Sequence, residues 1–133
     1  MLIHHLGIVA QSLDEALNCL PLEKYALVEE VYDDKQNNIL YFLKSEDSSV
    51  FFEIVVPIDD NSSVKQFSLK QKIGLHHLAF KSESITNSLK YHQEKKGNFQ
   101  LKQYEINVDV FGGKIKTGFV FANGILIEYV ENV

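Results

Sequence analysis

Two short apolar runs, each opened by a pair of histidines, set the pattern of this chain. The first is Ile3-His4-His5-Leu6-Gly7-Ile8-Val9-Ala10 and the second is Leu75-His76-His77-Leu78-Ala79-Phe80. Each reads as a short strand that meets a serine, Ser12 or Ser84, and then passes into helical spacing of its apolar positions. A shift of 72 residues (77 minus 5) superimposes HHLGIVAQSLDEAL on HHLAFKSESITNSL. The shift matches Leu6 with Leu78, Ser12 with Ser84 and Leu17 with Leu89. Self-similarity of this kind marks an internal repeat.

The repeat extends through the elements that follow. Ser12-Leu13-Asp14-Glu15 has the form of a capping box, so a helix should begin there and run to about Leu20, where Pro21 blocks continuation. The second helix should begin after Ser84 and stop near Gly97, a residue suited to a left-handed cap. Three strand-like runs follow each helix: about Tyr25–Tyr32, Asn38–Lys44 and Val50–Val56, then Leu101–Val110, Lys116–Phe121 and Ile125–Glu131. Asn123-Gly124 between the last two is a tight-hairpin signal. Each half therefore reads β-α-β-β-β, an α+β fold. A single domain over 1–133 is expected, with a first module of about 1–57, a linker with a short helix over 58–73, and a second module over 74–133. The linker helix should start near Ser63.

The repeat also duplicates a carboxylate. Phe52-Glu53-Ile54-Val55 resembles Ile127-Glu128-Tyr129-Val130, and each places a glutamate inside an apolar strand. Glu53 lies 48 residues after His5 (53 minus 5), and Glu128 lies 51 after His77 (128 minus 77). A buried carboxylate is costly unless paired or bound to a metal. Alternation along a strand sends His4 and His5 to opposite faces, so one member of each pair can face a cavity. If a pseudo-twofold relates the halves, His5, Glu53, His77 and Glu128 converge. Two imidazoles and two carboxylates suit a divalent first-row ion: Zn, Ni, Co, Mn or Fe. His4 and His76 are expected to be structural or supporting residues. His92, in KYHQEKKG, reads as a solvated helix residue, and the adjacent EKK as an exposed face.

Composition narrows the classes further. The chain has 133 residues, of which 45% are hydrophobic and 23% charged, as in ordinary globular domains. A net charge of -5 and a pI near 5.5 argue against a nucleic-acid partner. No apolar run approaches the roughly 18 residues of a membrane span. The start MLIHHLGIVAQSLDEA lacks the basic opening of a signal peptide. A lone cysteine, Cys19, cannot close an internal disulfide; a cytoplasmic setting is expected, with Cys19 on the core face of its helix.

With these residues in place, the chain resembles the vicinal oxygen chelate (glyoxalase-like) superfamily over nearly its whole length. The resemblance implies paired βαβββ modules forming a half-barrel around a metal site. It assigns the ligands to a histidine on the first strand of each module and a Glu or Gln on its last, matching His5, Glu53, His77 and Glu128. Within the superfamily it is most similar to the methylmalonyl-CoA epimerases. The segments that carry this are Glu53-Ile54-Val55-Val56-Pro57, Ser63-Val64-Lys65-Gln66-Phe67 and Gly74-Leu75-His76-His77-Leu78-Ala79-Phe80.

The activity so implied is metal-assisted abstraction of a proton next to a carbonyl, with Glu53 and Glu128 as base and acid on opposite faces. Lys114 or Lys116 could meet a substrate phosphate or carboxylate, or be solvated loop charges. The substrate would be a small thioester, or a hemithioacetal if the chain is instead a lactoylglutathione lyase (glyoxalase I)-like enzyme. A non-catalytic, bleomycin-resistance-type binding protein is the third reading. A homodimer is also implied.

Overall fold

The computed structural model describes residues 1–93 and 95–133. Its elements follow the expected order twice: β1 Ile3–Ala10, α1 Leu13–Cys19, β2 Tyr25–Asp33, β3 Asn38–Ser45 and β4 Phe51–Pro57, then a linker helix α2, Lys65–Lys70. The second series is β5 Ile73–Lys81, α3 Ile85–Gln93, β6 Asn98–Val108, β7 Gly113–Ala122 and β8 Ile125–Asn132. The expected βαβββ duplication is therefore the fold. The chain divides into two compact units, Leu6–His76 and Met1–His5 with His77–Val133. The first five residues thus group with the second repeat.

In the Leu6–His76 unit, β2, β3 and β4 form an antiparallel series, with β1 beside β4. Alternation along β1 and β4 turns Ile8, Ala10 and Ile54 toward Ala16 of α1, Leu22 and Leu43 in one buried cluster. Ser12 begins α1 as its pattern predicts: its Oγ accepts the Glu15 N–H at 3.1 Å. Cys19 was expected on the core face, but it is exposed. With Ala16 as the buried position of this seven-residue helix, Cys19 at i+3 lies past the helix's inward stripe.

In the other unit the order is β5-β8-β7-β6, with β5 and β8 parallel and the remaining pairs antiparallel. The main-chain carbonyl of Leu2 accepts the Lys81 N–H at 2.8 Å, which fastens the start of the chain beside β5. Ile85 and Leu89 of α3 pack on Val120 of β7 and Tyr129 of β8. Gly118 permits that approach, since a β-carbon there would sit 2.9 Å from Cγ2 of Ile85. The β7–β8 hairpin turns on Asn123 and Gly124, both at positive φ (50° and 92°), as the Asn-Gly signal requires.

Two boundaries differ from the expectation. The strand placed over Leu101–Val110 spans Asn98–Val108, because Asp109–Phe111 forms a 3-10 turn closed by Gly112 at φ 94°. The helix expected to reach Gly97 is assigned to Gln93. Gly97 does take the left-handed conformation (φ 84°), while Lys95 and Lys96 are exposed and Glu94 lies outside the described residues. Among the described residues, no helix is long and apolar enough to cross a membrane.

Candidate metal centre

The unit built from Met1–His5 and His77–Val133 brings three of the four expected ligands together. His5 comes from the start of β1, His77 from β5 and Glu128 from β8, the strand paired with β5. Parallel pairing sets Ala79 beside Glu128, and residues two apart on a strand share a face, so His77 and Glu128 project the same way. Tyr129 and Val120 pack under α3 on the opposite face, leaving Glu128, Phe119 and Thr117 with the histidines. His5, His77 and Glu128 are all buried.

Their polar atoms form a tight triangle. His5 Nε2 and His77 Nε2 lie 3.0 Å apart, and Glu128 Oε1 lies 3.3 Å from the first and 3.1 Å from the second. Donors held about 2.0–2.1 Å from a first-row ion would be roughly 2.9–3.4 Å from one another at octahedral to tetrahedral angles. The triangle meets that spacing. Its chemistry fits as well: two imidazole nitrogens and a carboxylate oxygen are a donor set that a divalent first-row ion accepts.

Electrostatics point the same way. Burial by itself would raise the Glu128 carboxyl, but the His5 charge and hydrogen bond, then those of His77, outweigh it and hold it well below the usual carboxylate range. Glu128 is therefore an anion, the form in which a carboxylate ligates a metal. Its second oxygen, Oε2, accepts a hydrogen bond from Thr117 Oγ1 at 2.5 Å, which fixes the plane of the carboxylate. The fourth expected ligand, Glu53, lies on β4 in the Leu6–His76 unit, buried and opposite Phe42 of β3.

The first histidine of the first pair departs from expectation. Alternation should separate His4 from His5, yet His4 Nδ1 lies 2.8 Å from His5 Nδ1 and both rings are buried. Phe111 gathers them: its ring meets His4 edge-on at 4.3 Å and lies parallel to His5 at 6.5 Å. Burial first, then the His5 charge, lowers His4 to a pKa of about 4, so this imidazole is neutral. His76, by contrast, packs edge-on against Phe67 of α2.

His92 also departs from expectation. It is buried on α3, with Nε2 2.6 Å from the Tyr129 hydroxyl. The charged KYHQEKKG context hid a histidine that falls on the helix's inward stripe with Ile85 and Leu89. Lys114 pairs with Glu105 at 3.4 Å, both partly solvated.

The sequence reading missed Thr117, Phe111 and Phe119, whose ring meets His77 edge-on at 5.9 Å. The available signal was a hydroxyl inside the apolar run Ile115–Phe121, on the strand antiparallel to the one that carries Glu128.

A duplicated βαβββ chain with a histidine from each first strand and a glutamate from the last, gathered in a buried triangle, defines the class of two-module βαβββ folds. Residues 3–110 match the family described as the glyoxalase/bleomycin resistance protein/dioxygenase superfamily, and the chain belongs to it. Among solved structures it is similar to methylmalonyl-CoA epimerase from Mycobacterium tuberculosis, at 22% identity and TM-score 0.79 over 98% of this chain and 87% of that one. The Streptomyces coelicolor methylmalonyl-CoA epimerase in complex with 2-nitronate-propionyl-CoA is alike at 21% identity and TM-score 0.79, over 98% and 96%. A hypothetical protein from Bacillus halodurans matches at 22% and 0.79, over 99% and 94%. At such identities these likenesses speak for the fold. No curated protein matches the sequence.

Proposed function

We propose that the protein is a divalent-metal-dependent enzyme that abstracts a proton next to a carbonyl, acting as a methylmalonyl-CoA epimerase does on a small acyl thioester. The observation that carries this is the buried His5–His77–Glu128 triangle, with its ion-sized spacing and its ionised carboxylate. Glu53 is proposed as the fourth ligand: it is buried and holds the place in the first repeat that Glu128 holds in the second. An ion so held supplies a Lewis acid for the substrate's carbonyl oxygen.

The chain's own residues then move the proton. A carboxylate on one face takes the α-proton, the C–H electron pair passes toward the carbonyl, and an acid on the other face returns a proton to the same carbon. Glu53 and Glu128 are the proposed pair. Glu53 is proposed as the base and Glu128 as the acid; in the structure Glu128 Oε1 meets two imidazoles and Oε2 meets Thr117. Glu128 is ionised in this structure. To return a proton it must first take one from solvent and give up the Thr117 hydroxyl, while Glu53 releases the abstracted proton to solvent.

Partners follow from the same reading: a thioester substrate and a second copy of the chain, with β2 and β6 as the edges available to pair. The test is incubation of metal-loaded protein with racemic methylmalonyl-CoA in D2O. Deuterium should enter the α-carbon. No uptake, together with turnover of a methylglyoxal–glutathione hemithioacetal, would replace the epimerase reading by the lyase. Protein that binds no metal and keeps its ligand-binding activity as Glu128→Ala would be the binder.

A further inference from the structure

We propose that His4 is a positioning residue that sets the tautomer of His5, by accepting at its own Nδ1 the proton that His5 carries on Nδ1. The inference rests on the metal-centre reading above and goes one shell beyond it. The contact is specific: two Nδ1 atoms 2.8 Å apart, on buried side chains adjacent in sequence. A contact of that length holds one proton between the two rings, and for a His5 that bears a single proton, as a ligating imidazole does, two arrangements are open.

In the first, His5 carries its proton on Nδ1 and donates to His4, which leaves the His5 Nε2 lone pair pointing at His77 and Glu128. In the second, His4 donates, the His5 proton moves to Nε2, and an N–H is driven into the triangle where a cation would sit. Only the first leaves three donors for an ion. A ligating histidine needs such an acceptor at its other nitrogen, most often a carboxylate or a carbonyl. Here the acceptor is a second imidazole. Phe111 holds the acceptor in place, edge-on to His4 and parallel to His5.

His5 has His4 at its Nδ1, and His76, the repeat equivalent of His4, meets the Phe67 ring edge-on. A role for His4 in packing alone makes a different prediction, because leucine would fill the space beside Phe111 almost as well.

The experiment compares wild type with His4→Leu, which keeps volume and removes the acceptor, and His4→Asn, which keeps an acceptor near the Nδ1 position. Nitrogen NMR of the imidazoles in metal-free protein should show His5 protonated at Nδ1 in wild type and His4→Asn, and a mixture or the Nε2–H form in His4→Leu. Competition for Co(II) against a chelator should show about 10- to 100-fold weaker binding in His4→Leu, with most of the loss restored in His4→Asn. A wild-type His5 protonated at Nε2 overturns the proposal, as does a folded His4→Leu with unchanged tautomer and affinity. Wild-type protein that binds no Co(II) removes the metal reading, while the tautomer measurement still decides the role of His4.

Discussion

Glu53 and Glu128 occupy equivalent register positions in the two repeats, yet the strand facing each carries a different residue at one place. Each faces a phenylalanine across the hairpin, Phe42 for Glu53 and Phe119 for Glu128. Two residues before that phenylalanine, the second repeat has Thr117, which donates to Glu128, and the first has Leu40, which carries no donor. Duplication preserved the carboxylates and the strand register. It did not preserve the hydroxyl that locks one of them. A carboxylate held by a hydroxyl beside two imidazoles is fixed in its plane.

The sharpest way to break this contrast is to remove each carboxylate in turn. Glu128→Ala should weaken metal binding by more than about 100-fold, since a ligand is lost outright and supporting residues alone are worth 10- to 100-fold. Glu53→Gln keeps an oxygen donor and should retain metal within about tenfold while kcat falls by roughly 100- to 10000-fold. Metal titration paired with α-proton exchange separates the two. If Glu53→Gln lost metal and Glu128→Ala kept it, the assignment would be reversed.

Next in size is the clamp itself. Thr117→Val preserves shape and β-branching but leaves Glu128 Oε2 without this donor. Metal affinity should drop by about tenfold, and the metal-free protein should lose roughly 1–3 kcal/mol of stability. Chelator competition and urea denaturation read the two effects. An unchanged affinity would mean that the histidines alone orient Glu128.

The same asymmetry explains what the sequence made legible. The duplication was readable because a strand writes its buried face every second residue and a helix every third or fourth, and both periods recur after 72 residues (77 minus 5). His5, His77 and Glu128 were found that way, and the structure brings them together. Thr117 and Phe111 were not, because each makes a contact that no period records, and His4, expected as a supporting residue, was assigned to the wrong face. Phe111 reaches the histidines from a 3-10 turn, Asp109–Phe111, that begins inside the expected strand and ends just past it. His4 bends toward its neighbour although alternation assigns it to the other face. His92 was misplaced for a related reason: charged neighbours outvoted its position on the helix.

His92 gives a smaller contrast that pH can test. Its repeat equivalent is Leu20 (92 minus 72), an apolar residue packed on the core of the first unit. Burial, and then the Lys95 charge, lower the His92 pKa below its ordinary 6.5. The groups around it are Tyr129, which meets its Nε2, Asn98 near Nδ1, and the Tyr91 ring. Above about pH 6.5 the imidazole is neutral in folded and unfolded chains alike, and its contribution is complete. As pH falls below that value the unfolded chain takes the proton first, so stability declines toward the lower folded pKa. The urea midpoint should therefore drop between pH 7.5 and pH 5 by more in wild type than in His92→Gln. Equal drops would show that His92 titrates alike in both states.

The smallest contrast lies at the helix starts. In α1 Ser12 caps and Asp14 and Glu15 supply negative charge to the first turn. In α3 Ser84 Oγ accepts the Asn87 N–H at 3.3 Å and the first turn has no acid. The missing charge comes from outside the helix: Glu131 of β8 accepts the Ile85 N–H at 2.8 Å. Ser12→Ala should cost about 1 kcal/mol, and Ser84→Ala less, because Glu131 still engages the N-terminus. Glu131→Ala should cost about 0.5–1 kcal/mol, as charge is withdrawn from the positive end of the helix dipole. Urea denaturation at pH 7.5 resolves the series. A neutral Glu131→Ala beside a Ser84→Ala as costly as Ser12→Ala would show that the serine alone starts α3.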